Sequence, residues 1–391
     1  MSFIKDFITK FNILVSNDSD LIKFIHRPDK LISTLKELDN IVGNLNIKKS
    51  IIQQLKFLIV KYSKQSNIDF EGHLLHTVLY GPPGVGKTMI GIILAKIWNS
   101  IGILKHSQRQ INMQYSATRM YLNTLKMQIQ IMGKNLPEML KMAFLQTIFN
   151  IEKSLPESTN IIQDSDDIIS IVSRADFVGE YWGQTAIKTL NLLKKNEGKV
   201  LFIDEAYLLY EGDRDSFGME ALTILNQYMS ENPDKIIIIF AGYEDKMNET
   251  IFAVQPGLRR RCSWNFCATS YNHTELSEIF KKQLDKTQWA LDDDINIESF
   301  FKRNMREFEY FGGDTQLLAF HSKLARNEEF FEEVVSNNTK SKKRPLVNYK
   351  ESEAKRRKTN NITKSSLNQG LQMFKSNRKK KTDDIPAGIY L

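Results

Sequence analysis

The segment GPPGVGKT, Gly81 to Thr88, constrains this chain more than any other stretch. It satisfies the pattern G-x-x-x-x-G-K-[ST] and lies between an apolar run, Thr77 to Tyr80, and a helix-forming stretch that reaches Trp98. Such a sequence folds as strand, glycine-rich turn and helix. Gly84 and Gly86 let backbone N–H groups turn inward around phosphate oxygens, aided by the positive N-terminus of the following helix. Lys87 then reaches the β and γ phosphates, and the Thr88 hydroxyl offers a ligand to Mg2+. Gly81, Pro82, Pro83, Gly84, Val85, Gly86, Lys87 and Thr88 are therefore the expected binding loop for ATP.

Further along, the apolar run VLFI is followed by Asp204 and Glu205. An acidic pair after a strand is by itself only a solvated strand end. Downstream of a phosphate loop it acquires a chemical reading, with Asp204 holding Mg2+ and Glu205 polarising the attacking water as general base. VLFIDEA and IIIIFAG are β-branched-rich runs of the kind a central parallel sheet needs, and amphipathic helices such as Gly218 to Ser230 lie between them. This alternation predicts an α/β domain of three layers over residues 37–270. Residues 271–337 read as helices only, a lid, with a capping box at Asn272 and Glu275 and later helices over Ile297 to Phe308 and Gln316 to Val335. Residues 1–36 read as a helical extension ending near Pro28, with Phe3, Ile4, Phe7, Ile8 and Phe11 on one face. A further helix is expected to begin at Leu38, with Ile47, Ile51, Ile52, Leu55, Leu58 and Ile59 at helical spacing.

With 41% hydrophobic residues the chain can build one large core or two modest ones. Its apolar runs are too short to span a membrane and its start lacks the features of a signal peptide, so a soluble intracellular protein is expected. Two cysteines, Cys262 and Cys267, are too few for a disulfide framework or a zinc centre, and the pair His73 and His76 makes no metal site. The net charge of +8 is concentrated after Asn338, in KKR at 342–344, KRRK at 355–358 and RKKK at 378–381, leaving the body mildly acidic. Residues 338–391 therefore read as a basic, largely disordered tail. It suits either a bipartite nuclear signal, placing the chain in the nucleus or cytoplasm of a eukaryotic cell, or contact with a phosphate backbone. Only Tyr349 and Phe374 interleave the basic clusters, so base stacking is not indicated.

Taken in order, LDNIVGNLNIKKSI, GPPGVGKT, SRADFVGEYWGQTAIKT, VLFIDEAYLL, FGMEALTILNQYM, IIIIFAGYEDKM and PGLRRR resemble the AAA+ ATPases, in the branch of the red-type rubisco activases and stage V sporulation protein K-like proteins. The resemblance covers roughly residues 38–104 and 166–330. It implies that Ile41, Val42 and Gly43 pack on the adenine and that Tyr243 occupies the place of a polar sensor residue. It also implies that Arg259 and Arg261 reach a neighbouring subunit's nucleotide, where an arginine can speed phosphoryl transfer by ~10³–10⁵-fold. Tyr181, Trp182 and Gly183 match a loop that lines the central pore of a ring and grips a threaded chain; the alternative is ordinary core packing.

Two departures stand out. Where the lid of this family carries an arginine, FGGDTQLLAF offers Thr315 and Leu318, so either hydrolysis is slower or a nearby residue such as Arg326 or Lys323 substitutes. Residues 105–167 form an insertion with Leu136, Leu140, Phe144 and Ile148 on one helical face, and six of the 13 methionines fall between Met113 and Met142. That stripe serves either as the insertion's own core or as an adaptable docking element. The abundance of Ile, Asn and Lys fits an AT-rich coding genome such as that of a large DNA virus. The resemblance implies a homo-oligomeric ring, a hexamer, that spends ATP with Mg2+ to remodel or thread a protein substrate, with no membrane involved. The nuclear-type tail points away from rubisco as the client. Two other readings stand: a nucleic-acid-directed loader or helicase-like factor anchored by the basic tail, and a nucleotide-gated assembly scaffold.

Overall fold

The apolar runs TVLY, VLFI and IIIFAG are buried along their whole length, as strands covered on both faces must be. In the computed structural model they are three of five strands: β1 (Thr77–Tyr80), β2 (Ile169–Val172), β3 (Val200–Ile203), β4 (Ile237–Gly242) and β5 (Trp264–Cys267). The structure describes residues 3–63, 75–104, 118–127, 142, 145, 146, 148, 168–340 and 360–383. The strands form a parallel sheet of order β2-β3-β4-β1-β5. Tyr80 pairs with Gly242, and Ile203 with Phe240. Gly81, Asp204 and Tyr243 consequently leave the sheet at its carboxyl edge, where ligands of open α/β sheets bind.

This sheet belongs to a first unit made of Met1–Ile41, Leu45–Gly81 and Lys87–Ala268. The helix Lys87–Ile101 comes so close to the sheet that a Cβ on Gly91 would lie 2.4 Å from the Phe202 ring. The helix Phe3–Ser16 buries Ile4, Phe7, Ile8 and Phe11, as their spacing predicts. The expected boundary near Pro28 is corrected. Pro28 opens the helix Pro28–Asn40, where its missing N–H costs nothing, and that helix packs on Lys87–Ile101, with Lys96 and Glu37 paired at 2.7 Å. The helix expected from Leu38 is likewise two: the first ends at Asn40, the next runs Leu45–Ser63, and Gly43 and Asn44 between them both have positive φ.

The second unit contains Val42–Asn44, Pro82–Gly86 and Thr269–Leu391. Its helices are His273–Asp285, opened by the Asn272–Glu275 capping box, Ile297–Asn304 and Phe311–Lys340. Phe280, Phe301, Phe308 and Phe374 form a chain of rings with successive centroids 5.6, 4.9 and 5.5 Å apart. The last of these rings lies in the stretch read as a disordered tail, and that expectation is corrected over residues 360–383. There β7 (Asn361–Ile362) pairs with β6 (Ala290–Leu291), and the helix Lys364–Asp383 lies along Phe311–Lys340. Ile362, Leu367, Leu371 and Phe374 are buried, an apolar stripe hidden in the sequence by the surrounding lysines. Arg378, first of the RKKK cluster, donates to Glu307 O and pairs with Glu309 at 3.1 Å and Asp314 at 3.4 Å.

KKR and KRRK lie outside the described residues, as do Leu136, Leu140 and Phe144 of the insertion; Leu122, on a helical stretch over 118–127, and Ile148 are buried. Among the described residues, no helix is long and apolar enough to cross a membrane.

Candidate functional site

Lys87, Asp204 and Glu205 are placed by the first unit. Lys87 opens the helix after the phosphate loop; its Nζ donates to Gly81 O at 3.0 Å and sits 5.1 Å from the centre of the Tyr243 ring. Burial lowers the pKa of this ammonium, opposed by the charges of Glu205 and Asp204. Asp204 follows β3 directly, and its Oδ1 accepts the Glu205 N–H at 3.1 Å. Burial and the neighbouring Glu205 raise its pKa.

Glu205 has φ 46°, a left-handed conformation that a side chain adopts only at a cost of order 1–3 kcal/mol. The turn Ala206–Leu209 follows at once. The Oε2 of Glu205 is buried and has no hydrogen-bond partner among the described residues. A hard-oxygen set of Asp204 and the Thr88 hydroxyl fits Mg2+, and the unsatisfied Glu205 oxygen fits a water to be deprotonated.

Two residues of this site carry no motif signature and were not anticipated. The Tyr207 ring lies 5.3 Å from that of Tyr243, and burial together with Glu205 keeps the Tyr207 hydroxyl protonated. Lys246 stands over both rings, at 4.8 and 5.1 Å. Tyr243 thus contributes an aromatic face toward Lys87 and Lys246 at the place where a polar sensor side chain was expected.

The second unit holds the middle of the phosphate loop. Gly84 and Gly86 have φ of 73° and 86°, which glycine adopts freely. The Tyr271 hydroxyl donates to Val85 O at 2.8 Å and accepts from Asn44 Nδ2 at 3.1 Å, while Asn44 Oδ1 accepts the Thr269 N–H at 3.2 Å. Burial raises the Tyr271 pKa to about 12, so the hydroxyl stays a donor. This chain of bonds joins the segment of buried Val42 and Gly43 to the loop Pro82–Gly86 through Tyr271, a residue with no sequence signal of its own. Gly43 is required, because a Cβ there would meet Glu275 Oε1 at 2.6 Å. Ile41 belongs to the first unit, its N–H bonded to Leu38 O.

Both candidate arginines are held by their own chain. Arg259 donates to Asn265 Oδ1 and lies over the Tyr80 and Phe252 rings. Arg261 donates to Asn226 Oδ1 at 3.0 Å, to Gly257 O at 2.9 Å and to Ser230 Oγ. Tyr181 and Trp182 are 68% and 81% exposed, so core packing does not describe them. Gly183, with φ 79°, starts the helix Gln184–Lys195.

In the lid, Thr315 and Leu318 are buried, and the Thr315 hydroxyl donates to Gly312 O at 3.0 Å. Neither suggested substitute is idle: Arg326 pairs with Glu329 and Glu333, and Lys323 donates to the Thr287 hydroxyl at 2.5 Å and lies over the Trp289 ring. His76 accepts the Ile238 N–H through Nδ1, and His73 lies outside the described residues.

Residues 77–266 match the model of the ATPase family associated with various cellular activities, AAA. A putative cfxQ-like protein of Acanthamoeba polyphaga mimivirus is 30% identical over 300 residues, covering 76% of this chain and 58% of its own. Protein CbbX of Cereibacter sphaeroides is 29% identical over 260 residues, with coverages of 66% and 64%. Stage V sporulation protein K of Bacillus subtilis is 26% identical over 257 residues, with coverages of 66% and 61%. The chain thus spans about three fifths of the length of these relatives. Residues 77–266 therefore form an ATPase domain of the AAA family, and the chain is similar to the CfxQ, CbbX and stage V sporulation protein K proteins.

Proposed function

We propose that this chain hydrolyses ATP and, as a homo-oligomeric ring expected to be hexameric, uses that energy to remodel or thread a protein substrate. The observation that carries the chemistry is the convergence of Lys87, Asp204 and Glu205 at the carboxyl edge of one sheet, with a buried Glu205 oxygen that has no hydrogen-bond partner among the described residues. Thr88 and Asp204 would hold Mg2+, which when bound offsets charge on the phosphate oxygens. Lys87, held against Gly81 O, is positioned for the triphosphate, and Glu205 takes the proton of the attacking water. Arg259 and Arg261 would act on a neighbour's nucleotide after leaving Asn265, Asn226 and Ser230, so that assembly and turnover are linked. The exposed pair Tyr181 and Trp182 supports a grip on a polypeptide.

The test is ATP turnover and MgATP binding by the purified chain. Lys87→Ala should lose both, and Glu205→Gln should bind MgATP without turning it over. Turnover by Glu205→Gln at the parent rate would end this reading. Tyr181→Ala should keep turnover and lose remodelling of any substrate that co-purifies with Glu205→Gln.

A further inference from the structure

We infer that Arg174 is a positioning residue that transmits the state of the Asp204–Glu205 edge to Tyr181 and Trp182. This assignment rests on the function proposed above and deepens it.

Arg174 opens the short helix Arg174–Phe177 immediately after β2, the strand beside β3. Its guanidinium faces away from its own helix and closes the excursion that follows Glu205. Nη1 donates to Leu208 O at 3.2 Å, Leu209 O at 2.9 Å and Asp215 Oδ2 at 2.6 Å, while Nη2 donates to Asp215 Oδ1 at 2.9 Å. Glu211 adds a longer ion pair at 3.7 Å. Asp215 in turn accepts the N–H groups of Glu211 and Gly218, and so caps the helix Ser216–Glu231. One planar cation therefore fastens both ends of the stretch from the Ala206–Leu209 turn to the next helix. Only an arginine fork can address two carbonyls and both oxygens of one carboxylate at once.

The same assembly reaches the aromatic pair by two routes. Through the backbone, Arg174 O accepts the Val178 N–H, and Gly179 N–H bonds Thr185 Oγ1, fixing the segment that leads into Tyr181. Through side chains, the Trp182 ring lies 5.1 Å from that of Phe217, in the first turn of the helix that Asp215 caps. Glu205 stands at the head of this assembly in a left-handed conformation, with the turn bonded to Arg174 directly behind it. A change at Glu205 that moves the Ala206–Leu209 turn acts on Arg174 and Asp215 through the bonds to Leu208 O and Leu209 O, and on Phe217 through the helix that Asp215 caps. Packed networks of this kind carry coupling when they have two discrete arrangements that both sites bias.

Trp182 is itself the reporter. The full-length Glu205→Gln chain is titrated with MgATP while intrinsic fluorescence is recorded, and the share of Trp182 is isolated by repeating the titration with Trp182→Phe added. The expected result is a MgATP-dependent Trp182 signal that is lost in Arg174→Lys and in Asp215→Asn, while MgATP affinity and circular dichroism at the assay temperature stay near the parent values. An unchanged Trp182 signal in folded Arg174→Lys would overturn the assignment. So would a signal lost only together with MgATP affinity or the fold, since Arg174 would then be a structural staple. MgATP binding without any Trp182 signal in the parent overturns the relay alone; no MgATP binding overturns the relay and the proposed function together.

Discussion

The Gly312 N–H donates to the Gly84 carbonyl oxygen at 3.2 Å, binding the start of the long lid helix to the centre of the phosphate loop. The contact is close enough that a Cβ on Gly84 would lie 1.9 Å from Tyr310 O, whereas one on Gly86 would meet nothing within 4 Å. Both glycines have positive φ, which costs an L-residue roughly 1–2 kcal/mol. Gly84→Ala therefore carries a backbone collision in addition to that cost. Titration calorimetry with MgATP should show Gly84→Ala losing more affinity than Gly86→Ala, and thermal unfolding should rank them the same way. Equal losses would mean that the lid contact is irrelevant to the loop.

Gly91→Ala tests the approach of the helix Lys87–Ile101 to β3. The added methyl would meet a fully buried Phe202 ring at 2.4 Å. Overpacking of this kind costs about 1–3 kcal/mol. Denaturant unfolding should show that loss, and Phe202→Leu combined with Gly91→Ala should recover part of it.

The Arg174–Asp215 pair makes stability depend on acid. Burial alone would raise the Asp215 pKa, but the hydrogen bond from Arg174 and the N–H groups of Gly218 and Glu211 hold it down to about 2, from an ordinary 3.8. The unfolded chain thus binds the proton more readily than the folded one. The stabilisation is complete above pH about 4 and is lost as the pH falls toward about 2. Asp215→Asn should be less stable than the parent at neutral pH, with the gap narrowing across that interval in urea melts at stepped pH.

Phe374→Ala removes the ring stacked on Phe308 at an interplanar angle of 11°. Deleting a buried phenylalanine costs about 3–5 kcal/mol. Hydrogen exchange should quicken in Phe311–Lys340 and Lys364–Asp383 and leave β1, β3 and β4 protected. Uniform quickening would show that the two units unfold as one.

Three of the five strands and the phosphate loop were legible because their signals are local: short apolar runs, a glycine turn and an acidic pair at a strand end; the partly exposed strands Ile169–Val172 and Trp264–Cys267 gave no such run. The Asn272–Glu275 cap was equally plain, since both partners lie within one turn. Tyr207, Lys246, Tyr271 and Arg174 were not legible, because their roles come from partners that the fold brings together from separate segments. Tyr271 bonds Val85, and Arg174 bonds Asp215, at separations that no motif spans. The helix Lys364–Asp383 was hidden for a different reason. Its apolar stripe is thin and its composition lysine-rich, so burial against the lid, rather than intrinsic propensity, makes it a helix.

That late helix has a consequence for biogenesis. Phe280, Phe301 and Phe308 emerge from the ribosome well before Phe374, the ring that finishes their row. Until then the nascent lid presents bare aromatic surface, a target for holdases and for premature association. A message truncated before codon 360 would yield a protein whose sheet can form but whose lid stays unsealed, marking it for quality control.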